Sequence, residues 1–174
     1  ARYLQARGAP ADLLSALYSY NHSWAYVYKV LAYTAAYGYA HPSSIPARAI
    51  ELARSKIGAP YVWGASGPDS FDCSGLVLWV YSQLGIIPPR TAQQQYDWAS
   101  PVDAAGVQPG DLLFYENTYA SSERITHIAI YVGGGNMIMA PSSGDFVKLV
   151  PVSDPYWREH FVSAGRPRYW EAEV

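Results

Sequence analysis

The first forty residues repeat apolar and polar positions at the spacing of amphipathic helices. Apolar residues recur every three or four positions in Asp12 to Tyr20 and in Ala25 to Tyr37, and a polar turn separates the two segments. Gly38 to Pro46 follows, with two prolines and two serines, and is typical of a linker. We therefore predict a helical segment and linker over residues 1–42 and a separate domain over residues 43–174.

The pattern in the second domain changes from helical to strand-like. Pro46 suits the first position of a helix over Ala47 to Ile57, and Asp72 opens a second helix that continues to Leu84. Short apolar segments bounded by turn residues predict strands at Asp111 to Tyr115, Thr126 to Val132, Asn136 to Ala140 and Lys148 to Val152. Helices followed by strands indicate an α+β fold, with helices packed on one face of an antiparallel sheet.

The composition fits a folded domain and argues against several functions. The 174 residues are 50% hydrophobic and 15% charged, with a net charge of −2. Because basic residues are scattered and no apolar run approaches roughly 20 residues, we expect neither nucleic acid binding nor membrane insertion. One cysteine and four histidines without ligand spacing predict no metal, cofactor or disulfide. Sixteen tyrosines and six tryptophans favour either a sugar- or peptide-binding surface or an aromatic core.

Two residues could carry nucleophilic chemistry. Cys73 lies at the start of the second predicted helix, where free N–H groups and the helix dipole favour a thiolate. The alternative is that Cys73 is a small buried apolar residue. His127 lies at the start of a predicted strand, where an imidazole can reach a nucleophile on a facing helix or serve only the structure. Together they could form a nucleophile and its general base.

Four sequence blocks occur in order between about residues 46 and 165. They are Tyr61-Val62-Trp63-Gly64-Ala65, Phe71-Asp72-Cys73-Ser74-Gly75-Leu76-Val77, Gln108-Pro109-Gly110-Asp111-Leu112 and His127-Ile128-Ala129-Ile130-Tyr131-Val132-Gly133. Together they closely resemble the NlpC-type family of bacterial cell-wall cysteine peptidases. The resemblance implies a papain-like α+β fold and cleavage of peptidoglycan stem peptides between D-γ-glutamyl and the following diamino acid. It also implies a secreted or wall-associated protein.

The same resemblance implies roles for individual residues. Cys73 matches the family's nucleophile and His127 its base, and Tyr61 matches a tyrosine whose hydroxyl can serve the oxyanion region. Asp72 and Ser74 match positions that help to hold the free amino terminus of the stem peptide. Asp72 can instead cap the helix, or do both.

Further positions match the groove of the family. Arg90-Thr91-Ala92 and Gln95 fall where the family often has an R-x-A/S-x-x-Q pattern, although Gln93 and Gln94 leave the alignment of the glutamine open. Trp63 is either a core aromatic residue or a substrate contact.

This sequence departs from the family's pattern at the third catalytic position. The family has a polar residue twelve positions after the base, and this sequence has Met139. A hairpin centred on Gly133 would place Met139 directly opposite His127, on the same face. Because a thioether accepts hydrogen bonds only weakly, three outcomes stay open. In the first, Cys73 and His127 act as a dyad with Tyr61. In the second, another group such as Ser142 orients the imidazole ring of His127. In the third, activity is low.

Residues 17–37 resemble the last helices of lysozyme-like lytic transglycosylases, with a Tyr20-Asn21-His22-Ser23 turn before Tyr26-Val27. The alternative is a plain helical hairpin. The resemblance implies that the chain is part of a longer multidomain wall hydrolase. For the second domain we expect a cysteine D,L-endopeptidase. A stem-peptide-binding module with little or no activity, or an acyl transferase with the same cysteine chemistry, remains an alternative.

Overall fold

Four α-helices and six β-strands make up residues 45–168, the part of the chain that the computed structural model describes. The helices are α1 (Ile45–Ser55), α2 (Cys73–Ser82), α3 (Ala92–Trp98) and α4 (Pro155–His160). The strands are β1 (Ser100–Val102), β2 (Leu112–Glu116), β3 (Ile125–Gly133), β4 (Asn136–Met139), β5 (Lys148–Pro151) and β6 (Phe161–Arg166). The helices expected before residue 38 and the boundary near residue 42 lie outside the described residues.

The six strands form one antiparallel sheet in the order β1-β6-β2-β3-β4-β5. Helices α1, α2 and α3 pack on one face, so the predicted α+β arrangement is confirmed. Helix α4 departs from it, because its Trp157 packs into the apolar cluster on the opposite face. The sequence reasoning did not predict α3, α4, β1 or β6.

The start of α2 is fixed by a cap and by a close backbone approach. The Asp72 carboxylate accepts a hydrogen bond from the N–H of Gly75 at 2.7 Å. The carbonyl oxygen of Ala65 lies so near Gly75 that a Cβ there would meet it at 2.0 Å. Glycine at this position therefore lets the 59–66 loop press against the first turn of α2, which carries Cys73.

The β3–β4 hairpin has a different register from the one predicted. Gly133 pairs with Asn136 across a two-residue turn, and both glycines in the turn have positive φ, as a type I′ turn requires. Ile130 consequently lies opposite Ile138, and this register, continued by one residue, places Met139 opposite Ala129 rather than His127. Because the shift is two residues, Met139 stays on the face of His127, now as a diagonal neighbour.

Candidate active site

A cleft of about 270 Å³ opens at the first turn of α2. It brings together residues from the 59–66 loop, from α2 and from the segment that leads into α3, as well as one tyrosine from the β2–β3 loop. Six of the predicted site residues line it: Tyr61, Trp63, Asp72, Cys73, Ser74 and Arg90. His127 and Met139 do not line the cleft, since both are buried in the sheet.

The wall of the cleft is built on an ion pair between Asp72 and Arg90. Arg90 approaches the carboxylate with both terminal nitrogens, at 2.5 and 3.1 Å, and Nη1 also donates to Ser74 Oγ at 3.0 Å. Asp72 further accepts from Ser74 Oγ and from the N–H groups of Gly64 and Gly75. With five donors the carboxylate is saturated. Asp72 is therefore the helix cap, and a substrate amine would have to displace one of these donors.

We expect Arg90→Met to lower the free energy of unfolding by about 2–3 kcal/mol. The substitution leaves the Asp72 carboxylate, which is only 7% exposed, without its positive partner. Urea unfolding followed by tryptophan fluorescence measures the loss. Arg124→Met is the matched control, because Arg124 pairs with Glu116 at the surface, and its loss should stay under about 1 kcal/mol. Equal losses in the two variants would contradict a structural role for the Arg90 ion pair.

Cys73 is buried at the base of the cleft and is uncharged in the resting protein. Burial and the Asp72 carboxylate raise the pKa of the thiol to about 11, although N–H groups of Ser74 and Ile128 act in the opposite direction. The sequence expectation of a thiolate favoured by the helix start is therefore wrong for the resting state, because desolvation outweighs the helix terminus. Ile128 directly follows His127 in β3, so the thiol lies against the strand that carries the histidine.

Alkylation of Cys73 should therefore be slow at neutral pH and accelerate steadily towards pH 11. With a pKa near 11, roughly one thiol in ten thousand is ionised at pH 7, and the fraction rises tenfold per pH unit. Iodoacetamide labelling between pH 7 and pH 10, followed by intact-protein mass spectrometry, measures the rate on the chain's single cysteine. A rate that levels off by pH 8 would show that the thiol is already activated.

His127 lies at the start of β3 opposite Tyr115, on the face of the sheet that α4 covers. Its Nε2 is 3.2 Å from Met139 Sδ, and because a thioether has no proton to give, a hydrogen bond between them requires the tautomer with the proton on Nε2. In that tautomer Nδ1 keeps the free lone pair. Burial lowers the pKa of the imidazole to about 3, while Asp72 acts in the opposite direction. The resting pair is thus a thiol and a neutral imidazole.

Three aromatic residues form the rim of the cleft. Tyr61 is half-buried, and burial together with Cys73 and Asp72 raises the pKa of its hydroxyl, so Tyr61 stays a proton donor. Trp63 is 66% exposed and meets Tyr119 edge to face at 5.3 Å, so the possibility of a core role for Trp63 is excluded. Tyr119 was not predicted as a site residue, because a single tyrosine in a polar loop belongs to no hydrophobic pattern or motif.

Gln95 lies beneath the cleft rather than in it. Its Nε2 donates to the carbonyl oxygens of Ser74 and Pro89, and the side chain is fully buried. Gln95 therefore links Ser74, at the start of α2, to the segment before α3 through hydrogen bonds. Trp157, which stacks on His127, is a second residue that sequence reasoning missed, although Asp154-Pro155 before it is a helix-start signal.

Residues 45–168 contain no group of three or more His, Cys, Asp or Glu that could hold a metal ion. Within the same range, no helix has the length and apolar character needed to cross a bilayer.

The fold and the site together define a papain-like α+β protein with a cysteine at a helix start and a histidine on the adjoining strand. The chain belongs to the NlpC/P60 family, which residues 58–166 match. The resemblance seen in the four sequence blocks is thereby confirmed.

Two curated relatives illustrate the similarity. The bifunctional muramidase/DL-endopeptidase CwlT of Bacillus subtilis is 44% identical over 110 residues, which cover 63% of this chain and 32% of that protein. The murein DD-endopeptidase MepH of Escherichia coli is 36% identical over 135 residues, which cover 73% of this chain and 49% of that protein. The chain thus spans half or less of the length of these relatives.

Solved structures show the same fold. An NlpC/P60 family protein from Bacillus cereus superposes with a TM-score of 0.67 at 31% identity, over 72% of this chain and 41% of that one. The NlpC/p60 domain of the peptidoglycan hydrolase SagA superposes with a TM-score of 0.59 at 34% identity, over 69% of this chain and 97% of that domain.

Proposed function

We propose that residues 43–174 form a peptidoglycan hydrolase domain that cuts stem peptides through the thiol of Cys73. One observation carries the proposal: the chain's single cysteine begins α2 in an open cleft and contacts the backbone of Ile128, the residue directly after His127. Relatives named as DL-endopeptidase, murein endopeptidase and gamma-DL-glutamyl hydrolase support a stem peptide as the substrate.

The chemistry begins with a neutral pair. Cys73 Sγ attacks the carbonyl carbon of the scissile amide while its proton passes to Nδ1 of His127, which becomes an imidazolium. The imidazolium gives this proton to the departing amine, and a thioester remains on Cys73. Water then attacks the thioester with His127 as base, which releases the carboxylate and restores the thiol. The Tyr61 hydroxyl, kept protonated by its raised pKa, can donate to the developing oxyanion.

The bond that is cut distinguishes two groups among the relatives. The Bacillus subtilis protein is named a DL-endopeptidase, whereas the Escherichia coli protein is named a DD-endopeptidase. We infer D,L specificity, between D-γ-glutamyl and the diamino acid, for this chain. It shows the higher identity to the DL-endopeptidase, 44% against 36%.

A cross-linked muropeptide dimer tests the reaction and the bond together. Such a dimer contains both D,L and D,D bonds, and mass spectrometry of the products distinguishes them. We expect fragments that end in D-glutamate, and none from the Cys73→Ala protein. Release of intact monomers would show D,D cleavage instead, and equal release by both proteins would exclude Cys73 as the nucleophile.

We further propose that this protein acts outside the cytoplasm, because its relatives are cell-wall hydrolases and one similar structure is described as similar to a lipoprotein.

A separate proposal, which rests on the sequence resemblance of residues 17–37, is that residues 1–42 are the end of a lysozyme-like domain. The name bifunctional muramidase/DL-endopeptidase for one relative supports this arrangement.

A further inference from the structure

The imidazole of His127 lies against the face of one indole ring. The ring centroids of His127 and Trp157 are 4.6 Å apart with an angle of 31° between their planes. Tyr115 packs against both rings, with its ring centroid 5.2 Å from that of Trp157 and 5.9 Å from that of His127. His127 is only 2% exposed, so this aromatic cover belongs to a desolvated site.

The position of Trp157 is built into α4. Asp154 caps this helix and accepts hydrogen bonds from the N–H groups of Tyr156 and Trp157, and Pro155 occupies the first turn. The short helix lies between β5 and β6 in the chain, and its Trp157 packs against the apolar cluster on the sheet face that carries His127. The backbone of Trp157 is thus held independently of the cleft residues.

A polar third residue would do two things for the base, and Met139 does them poorly. It would orient the ring through a strong hydrogen bond, and it would stabilise the positive charge that the ring acquires. The contact from Nε2–H to Met139 Sδ at 3.2 Å is a weak hydrogen bond. An aromatic face within about 6 Å of a cation attracts it, most strongly for tryptophan and when water is excluded.

We propose that Trp157 is the positioning residue of the catalytic base, and that its indole face takes over from a polar third residue. Stacking restricts the imidazole plane, so that Nε2–H points to Met139 and Nδ1 stays available for the Cys73 proton. Once His127 holds that proton, the indole face stabilises the imidazolium by a cation–π interaction. This inference rests on the proposed cysteine hydrolysis for its kinetic part only.

The test compares Trp157→Phe and Trp157→Leu with the wild-type chain. Phenylalanine keeps a weaker π face and leucine has none, so kcat should fall about threefold and at least tenfold respectively, with KM unchanged. Nitrogen-15 NMR of the His127 ring gives a readout that needs no substrate. We expect one Nε2–H tautomer in the wild type and a mixture of both tautomers in Trp157→Leu.

Trp98→Leu is the matched control, because Trp98 ends α3 and packs against the other apolar cluster. It should lower the melting temperature without changing the His127 tautomer. An unchanged tautomer and kcat in Trp157→Leu would overturn the proposal, as would losses of kcat that only follow the melting temperature. If no variant hydrolyses stem peptides but the tautomer changes, the proposed function fails while the positioning role of Trp157 stands.

Discussion

Replacing Cys73 by alanine is expected to slow stem-peptide cleavage at least about 10³-fold and to leave the fold intact. The nucleophile would be lost outright, whereas the site around it is held by other contacts: the Asp72 cap, the Arg90 ion pair and the Gln95 hydrogen bonds. Cys73 is 8% exposed and contributes one sulfur atom to the core, so alanine leaves only a small void.

Cys73→Ser sharpens this prediction. Serine keeps nearly the same volume and can still donate a hydrogen bond, but its hydroxyl is a far weaker nucleophile next to a base whose pKa lies near 3. We therefore expect the serine variant to be as inactive as the alanine variant, as measured by product release from a defined muropeptide under identical conditions. Substantial activity in both Cys73→Ser and Cys73→Ala would indicate that another group, and not the thiol, performs the attack.

The sequence predicted the elements that carry the site because their patterns are local. Asp72 at the start of an apolar helix predicted α2, and Gly133-Gly134-Gly135 between apolar segments predicted the β3–β4 hairpin. The observed register of this hairpin is two residues away from the predicted one. Strand β6 shows no alternation in Phe161–Arg166. Its pairing with β1 and β2 depends on distant contacts, such as the close approach of Gly165 to Ala99 and Phe114.

The pKa of the Cys73 thiol could not be predicted from the sequence, since it depends on how deeply the side chain is buried. A cysteine at a helix start suggests a lowered pKa when only the helix is considered. The structure adds burial and a carboxylate beside it, and these reverse the direction. The proximity of Trp157 to His127, thirty positions apart, likewise follows only from the way α4 returns to the sheet.

The second large effect is expected for His127→Gln, which should lower kcat by about 10²–10⁴-fold. Because the resting thiol has a raised pKa, attack depends on a base that takes its proton at the moment of bond formation. An amide cannot accept that proton, although glutamine fills much of the space and can still contact Met139. KM should change little, since His127 does not line the cleft in which the substrate would bind.

His160→Gln provides the control, because it makes the same chemical change on α4 without touching the site. His160 stacks on Tyr156, and its Nδ1 is bonded to the Tyr156 carbonyl oxygen. The activity of the His160→Gln variant should stay within about twofold of the wild type. The decisive measurement is the pH dependence of kcat in His127→Gln: hydroxide in solution must now remove the Cys73 proton, so residual activity should rise tenfold per pH unit towards the thiol pKa of about 11. Residual activity independent of pH would mean that proton removal by His127 does not limit the reaction, and the proposed role of His127 would be wrong.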